Sequence, residues 1–183
     1  MEENSLRYPT ILFDWGDTIM RDYPAIITPM VEWETLEVIE GIADVLADLH
    51  SSGRRIILAT SASISNESQI RGALARVELD QYFSRIYCFK NTHLSKGEAF
   101  YHHVLNNLDI PASAALMVGD SFEKDVQAAN TVGIFAVWFN PISDETRSDM
   151  LHTTVHSMRE LREFSKLWIR NDRFNLTGLT NYR

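Results

Sequence analysis

Short apolar runs alternate with helical patterns along almost the whole chain, and no other feature limits its fold as strongly. The runs are Thr10–Phe13, Arg55–Ala59, Ile86–Phe89, Ala115–Val118 and Ile134–Phe139, with a weaker sixth at Thr153–His156. Each of the first five is short and rich in Ile, Val, Leu or Phe, the signature of a buried strand. Helical spacing fills the intervals. Ile42, Val45, Leu46 and Leu49 recur at i, i+3, i+4 and i+7, and Gly53 follows as a stop. Four further segments open on capping-box spacing: Asn66 with Gln69, Ser95 with Glu98, Asp120 with Glu123, and Ser157 with Glu160. Strands alternating with helices of this length predict βαβ units: an α/β fold of three layers, a Rossmann-like parallel sheet covered by helices on both faces.

Composition agrees with a single globular domain over residues 1–183. Apolar residues make up 45% and charged residues 23%, and the formal charge of −8 argues against general binding to nucleic-acid backbones. Cys88 is the one cysteine, so a disulfide framework and a cysteine-based zinc cluster are both excluded. The opening residues lack a basic leader, and no run approaches the roughly 20 apolar residues that cross a bilayer. A cytoplasmic location without membrane partners is expected.

In sheets of this kind ligands bind beyond the carboxyl ends of the strands. Asp14-Trp15-Gly16-Asp17-Thr18 follows the first run and Thr60-Ser61 the second. Lys96 precedes the helical pattern after the third, and Gly119-Asp120-Ser121-Phe122-Glu123-Lys124-Asp125 spans the end of the fourth. Each has a bland reading alone: Asp14 as a turn residue, Asp120 as an N-cap, Thr60 as a strand-end hydroxyl. Together they place carboxylates, hydroxyls and a lysine at one sheet edge. Clustered carboxylates repel one another, and a hard divalent cation such as Mg²⁺ relieves that repulsion. Asp14, Asp120 and Asp125 suit it. A lysine and a hydroxyl beside a metal-bound carboxylate form a phosphate cradle, and a carboxylate can attack phosphorus to give an acyl phosphate. Lys96 is expected in the first turn of a helix opened by Ser95, where a cation opposes the macrodipole and calls for a nearby anion.

These residues in this order, from about Thr10 to about Asn140, resemble the haloacid dehalogenase (HAD) superfamily, most of whose members are Mg²⁺-dependent phosphatases. The resemblance implies that Asp14 is the nucleophile. It implies that Thr60 and the amide of Ser61 bind the phosphoryl group, and that Lys96 holds nucleophile and phosphate together. By the same resemblance Asp120 and Asp125 bind the metal with Asp14 and the backbone carbonyl of Gly16. One departure stands out. The common first motif is Asp-x-Asp-x-Thr, with the second Asp as general acid and base. Here that position is Gly16, and the carboxylate comes one residue later at Asp17. Asp17 reaches the leaving group through a local change in the loop, or water or another residue serves. Otherwise the chain is a weakly active or non-catalytic relative that binds phosphate or a partner. The dehalogenase branch does without Mg²⁺, so the Asp120/Asp125 pair argues against it.

Motif spacing bears on the substrate. Between Thr18 and Thr60 lie 41 residues, and between Thr60 and Lys96 lie 35. One helix and one strand use roughly half of the first interval and nearly all of the second. Residues 19–40 are too few for a helical cap domain and suffice for a flap stiffened by Pro24 and Pro29. A capless member is expected, open to a phosphorylated small molecule or macromolecule, or covered by its flap or a second subunit. Met30, Trp33, Ile26 and Ile27 would then pack in the core, tip the flap or make a homo-oligomer contact. Glu32–Asp48 holds six acidic and no basic residues, which reads as a solvated helix face. Lys166, Arg170, Arg173 and Arg183 form a basic tail, read as a solvated terminus.

Overall fold

A computed structural model describes residues 6–169. Six strands form one sheet: β1 (Thr10–Phe13), β2 (Arg55–Ala59), β3 (Phe83–Tyr87), β4 (Ala115–Gly119), β5 (Phe135–Phe139) and β6 (His152–Val155). Their order is β3-β2-β1-β4-β5-β6, and every neighbouring pair is parallel. The chain builds outward from β1 to β3 on one side and then returns to lay β4 on the other side of β1. This reversal makes β1 and β4 the switch point, where adjacent crossovers diverge and leave a crevice.

Successive strand residues face opposite ways, so each strand feeds two cores. Ile11, Phe13, Ile56, Leu58 and Val118 join one face, covered by α1 (Ile42–Ser51), α2 (Glu67–Arg76) and α6 (Met158–Lys166). Leu12, Ile57, Met117 and Ala136 join the other, covered by α4 (Glu98–Leu108) and α5 (Ala128–Thr131). A short helix, α3 (Phe89–Thr92), lies between β3 and α4.

The expected strands at β1 and β2 coincide with those observed. The third does not: Ile86–Phe89 was expected, whereas β3 runs from Phe83 to Tyr87 and Phe89 opens α3. As an edge strand β3 exposes Ser84 and Arg85, so its first half carries no continuous apolar run.

Two of the four expected caps form as read. Asn66 and Gln69 exchange both bonds of a capping box, each at 2.9 Å, and the Ser157 hydroxyl accepts the Glu160 amide at 3.1 Å. The other two do not. The α4 N-cap is Gly97, not Ser95, so Lys96 precedes the helix and the macrodipole argument does not apply to it. Ser121, not Asp120, caps the turn after β4, accepting the Lys124 amide at 3.3 Å.

Among the described residues no separate domain interrupts the sheet. Residues 19–40 fold back on themselves: the Arg21 amide donates to the Glu37 carbonyl at 2.8 Å, and the Ile39 amide to the Ile19 carbonyl at 2.9 Å. The Arg76 guanidinium, at the end of α2, donates to the carbonyls of Trp33, Val31 and Glu34 at 2.6, 2.9 and 3.0 Å. Met30 and Trp33 are buried in the core, while Ile27 stands 81% exposed. The acidic residues Asp44 and Asp48 face Arg162 of α6. Of the basic tail, Lys166 pairs with Glu163 at 2.6 Å, and Arg170, Arg173 and Arg183 lie outside the described residues. No helix among the described residues is long and apolar enough to cross a membrane.

Candidate active site

The carboxyl ends of β1, β2 and β4 open into one cavity of roughly 390 Å³, lined by Asp14, Gly16, Thr60, Lys96, Asp120 and Asp125 among others. Asp14 leaves β1 with its amide still bonded to the Val118 carbonyl of β4 at 2.9 Å, so the switch point itself sets its position.

Lys96 sits at the centre. Its Nζ donates to Asp14 Oδ1 and Asp125 Oδ1, each at 2.5 Å, and its side chain is only 3% exposed. Burial works to lower the ammonium's pKa, but Asp125 and Asp14 outweigh it and hold the group above its usual range. It is a fixed positive charge. Its backbone is anchored as well: the Lys96 amide donates to Ser61 Oγ at 2.9 Å, tying this segment to the end of β2.

Asp125 is buried. Besides Lys96 it accepts the Ser121 amide on Oδ2 at 3.0 Å. The turn that carries it, Phe122–Gln127, is a wide π-type turn rather than the start of a regular α-helix. A local insertion of this kind re-aims side chains relative to a 3.6-residue turn. Gly119 completes the arrangement. A Cβ there would lie 2.2 Å from Asp125 Oδ2 and 2.6 Å from Asp125 Cβ, so the bare backbone is what admits the carboxylate. Burial raises the pKa of Asp125 even beside Lys96.

Asp120 is held by a residue from the first motif. The Thr18 hydroxyl donates to Asp120 Oδ1 at 3.3 Å and accepts the Asp120 amide at 3.1 Å, and the Trp138 indole donates to the Asp120 carbonyl at 2.8 Å. Burial lifts the Asp120 carboxyl to about 6, with the charge of Asp14 adding to the effect. Tyr101, whose hydroxyl donates to the Lys124 carbonyl at 3.0 Å, is raised well above its usual value by burial and then by Asp125 and Asp14.

Single oxygens of Asp14, Asp120 and Asp125 lie within 4.8 Å of one another. Three carboxylates so close, two of them with raised pKa values, are under repulsion that a cation would relieve. An all-oxygen donor set fits a hard divalent ion such as Mg²⁺. Thr60 is buried, and its Oγ1 accepts the Ala62 amide at 3.1 Å, which leaves the hydroxyl proton free to donate.

Asp17 differs from the rest. Its backbone is left-handed, with φ +52°, and its Oδ1 accepts Arg21 at 3.3 Å and the Asp22 amide at 3.2 Å. Two contributors escaped the sequence reading. Thr18 is in sequence just one more residue of the first motif, although its hydroxyl sets Asp120. Asp22 was not singled out and also lines the cavity. A third carboxylate within nine residues of the strand end was the signal available for it.

A family model described as haloacid dehalogenase-like hydrolase matches residues 11–139. Pyrimidine 5'-nucleotidase PynA of Streptococcus pneumoniae (strain ATCC BAA-255 / R6) is 25% identical over 128 residues, 68% of this chain and 53% of that protein. Ribulose-1,5-bisphosphate 5-phosphatase of Halopiger xanaduensis (strain DSM 18323 / JCM 14033 / SH-6) is 30% identical over 141 residues, 73% of this chain and 58% of that protein. The chain thus spans a little over half the length of these curated relatives. Among solved structures, the HAD-hydrolase YfnB from Bacillus subtilis, determined bound to magnesium, superposes with a TM-score of 0.69 at 16% identity, covering 87% of this chain and 99% of that one. That likeness speaks for the fold.

Proposed function

Since the chain belongs to the haloacid dehalogenase-like hydrolases, we propose that it is a Mg²⁺-dependent phosphomonoester hydrolase working through an aspartyl-phosphate on Asp14. One observation carries the reading: a buried lysine bridges Asp14 and Asp125 with Asp120 close by, at the switch point of the sheet. Distant relatives that are a nucleotidase and a sugar-bisphosphate phosphatase support the same chemistry.

Asp14, Asp120 and Asp125, with the carbonyl of Gly16, would hold Mg²⁺, which neutralises phosphate charge and polarises the phosphoryl group when bound. The chain's own groups do the rest. Lys96 keeps one oxygen of Asp14 in place and presents a permanent positive charge to the incoming phosphate. The Thr60 hydroxyl and the Ser61 amide donate to phosphoryl oxygens, while the Ser61 hydroxyl keeps Lys96 in register. The free oxygen of Asp14 attacks phosphorus in line with the leaving group, and the acyl phosphate is then hydrolysed. The proton steps fall to a carboxylate of the loop after β1. In the absence of an inserted cap domain the cavity takes its substrate through an open mouth, and capless is the subtype we assign.

A second reading is favoured by one residue. Gly16 offers no carboxylate where the common motif has one, as in a binding protein that has lost catalysis. Hydrolysis of p-nitrophenyl phosphate with and without Mg²⁺ separates the two. The expected result is phosphate release that needs Mg²⁺ and falls to background in Asp14→Asn. Wild type and Asp14→Asn equally inactive across a panel of phosphate esters would overturn the hydrolase. A large gain from inactivity in Gly16→Asp/Asp17→Gly would then identify the binding protein.

A further inference from the structure

We propose that Asp22 carries the proton in this reaction, in place of the carboxylate missing at position 16; the inference rests on the phosphomonoesterase reading above. Hydrolysis of an unactivated ester leaves an electron pair on the departing oxygen, and water must lose a proton to attack the acyl phosphate. A positioned acid and base contributes on the order of 10²–10⁴-fold to such steps.

Five carboxylates line the cavity: Asp14, Asp17, Asp22, Asp120 and Asp125. Four are committed. Asp14 is the nucleophile. Asp125 has one oxygen on Lys96 and the other on the Ser121 amide. Asp120 is held by Thr18. Asp17 uses Oδ1 alone to accept both the Arg21 guanidinium and the Asp22 amide, which ties it to the backbone that carries Asp22. Asp22 accepts only the neighbouring Tyr23 amide on Oδ1, at 2.8 Å.

The other oxygen of Asp22 has a telling location. A Cβ built on Gly16 would lie 3.3 Å from Asp22 Oδ2, 3.3 Å from Asp22 Cβ and 3.5 Å from Asp22 Cγ. Gly16 is not in the left-handed region, so its backbone does not require glycine. What the bare Cα permits is the approach of Asp22. A side chain at position 16 would press on Asp22, which would have to give way by a few tenths of an ångström, so the carboxylate six positions later borders the space where the common motif carries its acid. Asp17 belongs to the same device. Its left-handed turn and its bond to the Asp22 amide hold the carboxylate in place, so Asp17 is a positioning residue. Tyr23, donating to Glu37 Oε1 at 2.6 Å, secures the far side of the segment.

The step balances. As Asp14 forms its bond to phosphorus, the bond to the leaving oxygen breaks and that oxygen takes the electron pair together with the proton of Asp22. The Asp22 carboxylate then removes a proton from water as the water oxygen bonds to phosphorus. The bond between phosphorus and Asp14 breaks, releasing inorganic phosphate and restoring both residues.

The test uses wild type, Asp14→Asn, Asp17→Asn, Asp22→Asn and Asp22→Ala/Gly16→Asp with Mg²⁺. The substrates are β-glycerophosphate, a poor leaving group, and p-nitrophenyl phosphate, a good one. Asp22→Asn is expected to lose about 100-fold in kcat on the alkyl ester. On the aryl ester it should give a burst of one nitrophenolate per enzyme before a slow steady state, because water attack is impaired while the leaving group departs unaided. Asp17→Asn keeps an acceptor for the Asp22 amide and is expected to lose less and to show no burst. Gly16→Asp should recover at least about tenfold in the Asp22→Ala background, part of the general acid–base factor. Asp22→Asn within about twofold of wild type on the alkyl ester, or a larger loss and a burst in Asp17→Asn instead, would overturn the assignment. Wild type no faster than Asp14→Asn on either substrate is a different failure, that of the hydrolase reading and of this inference with it.

Discussion

Removing a carboxylate from water costs several kcal/mol unless a partner is built for it. Asp125, with 1% of its side chain exposed, has two such partners, and both depend on Gly119 having no side chain. Gly119→Ala is therefore expected to destabilise the protein by about 1–3 kcal/mol, measured by urea unfolding. It should also weaken Mg²⁺ binding, measured by calorimetry, because the displaced carboxylate is one of three in the cluster. Asp14, Thr60 and Asp120 stand out in the sequence because each is a polar residue directly after a strand. Their contacts do not. Lys96 drew attention through a helix dipole it does not sit in, since α4 begins only at Glu98. Asp22 was illegible because its place beside Gly16 depends on how a loop folds back. Sequence distance says nothing of that.

At the level of elements, the wide turn at Phe122–Gln127 and the segment 19–40 shape the site more than any regular helix does. The turn delivers Asp125 to Lys96. The segment carries Asp22 at one end and is clamped at the other by Arg76, which serves three carbonyls. Arg76→Ala is expected to cost about 1–2 kcal/mol, as hydrogen bonds to a charged, partly exposed group. Urea unfolding would report the loss, and limited proteolysis would show faster nicking within residues 19–40. Capping-box spacing was a fair guide at Asn66 and Ser157 but misleading at Ser95 and Asp120. The same residue types three apart also occur in loops, and only the backbone path decides whether the side chain meets the amide. Strand β3 was misread because an edge strand need not be apolar on both faces.

For the whole molecule, the sheet concentrates negative charge at one end. Without a divalent cation, Asp120 keeps its proton in the folded protein up to about 6, whereas an unfolded aspartate ionises near ~3.9. Between those values the folded state binds more protons, so this group's contribution to stability falls as pH rises through that window. In chelator the thermal midpoint should fall between about pH 4 and about pH 6, and fall less in Asp120→Asn, where only the raised carboxyl of Asp125 remains. Mg²⁺ should raise the midpoint more at about pH 7.5 than at about pH 5, because at the lower value it must displace protons. Scanning fluorimetry of both proteins checks each point. The chain alone determined the α/β class, the parallel sheet and the strand ends at which the polar residues gather, because burial of alternating apolar runs leaves few topologies open. It also showed that one carboxylate of the first motif is out of place. Only the tertiary structure decided that Lys96 bridges two aspartates, that Thr18 holds Asp120, and that Asp22 lies beside Gly16. Such contacts join residues far apart in the chain or across a folded loop, and their geometry exists only once the sheet and its loops have closed.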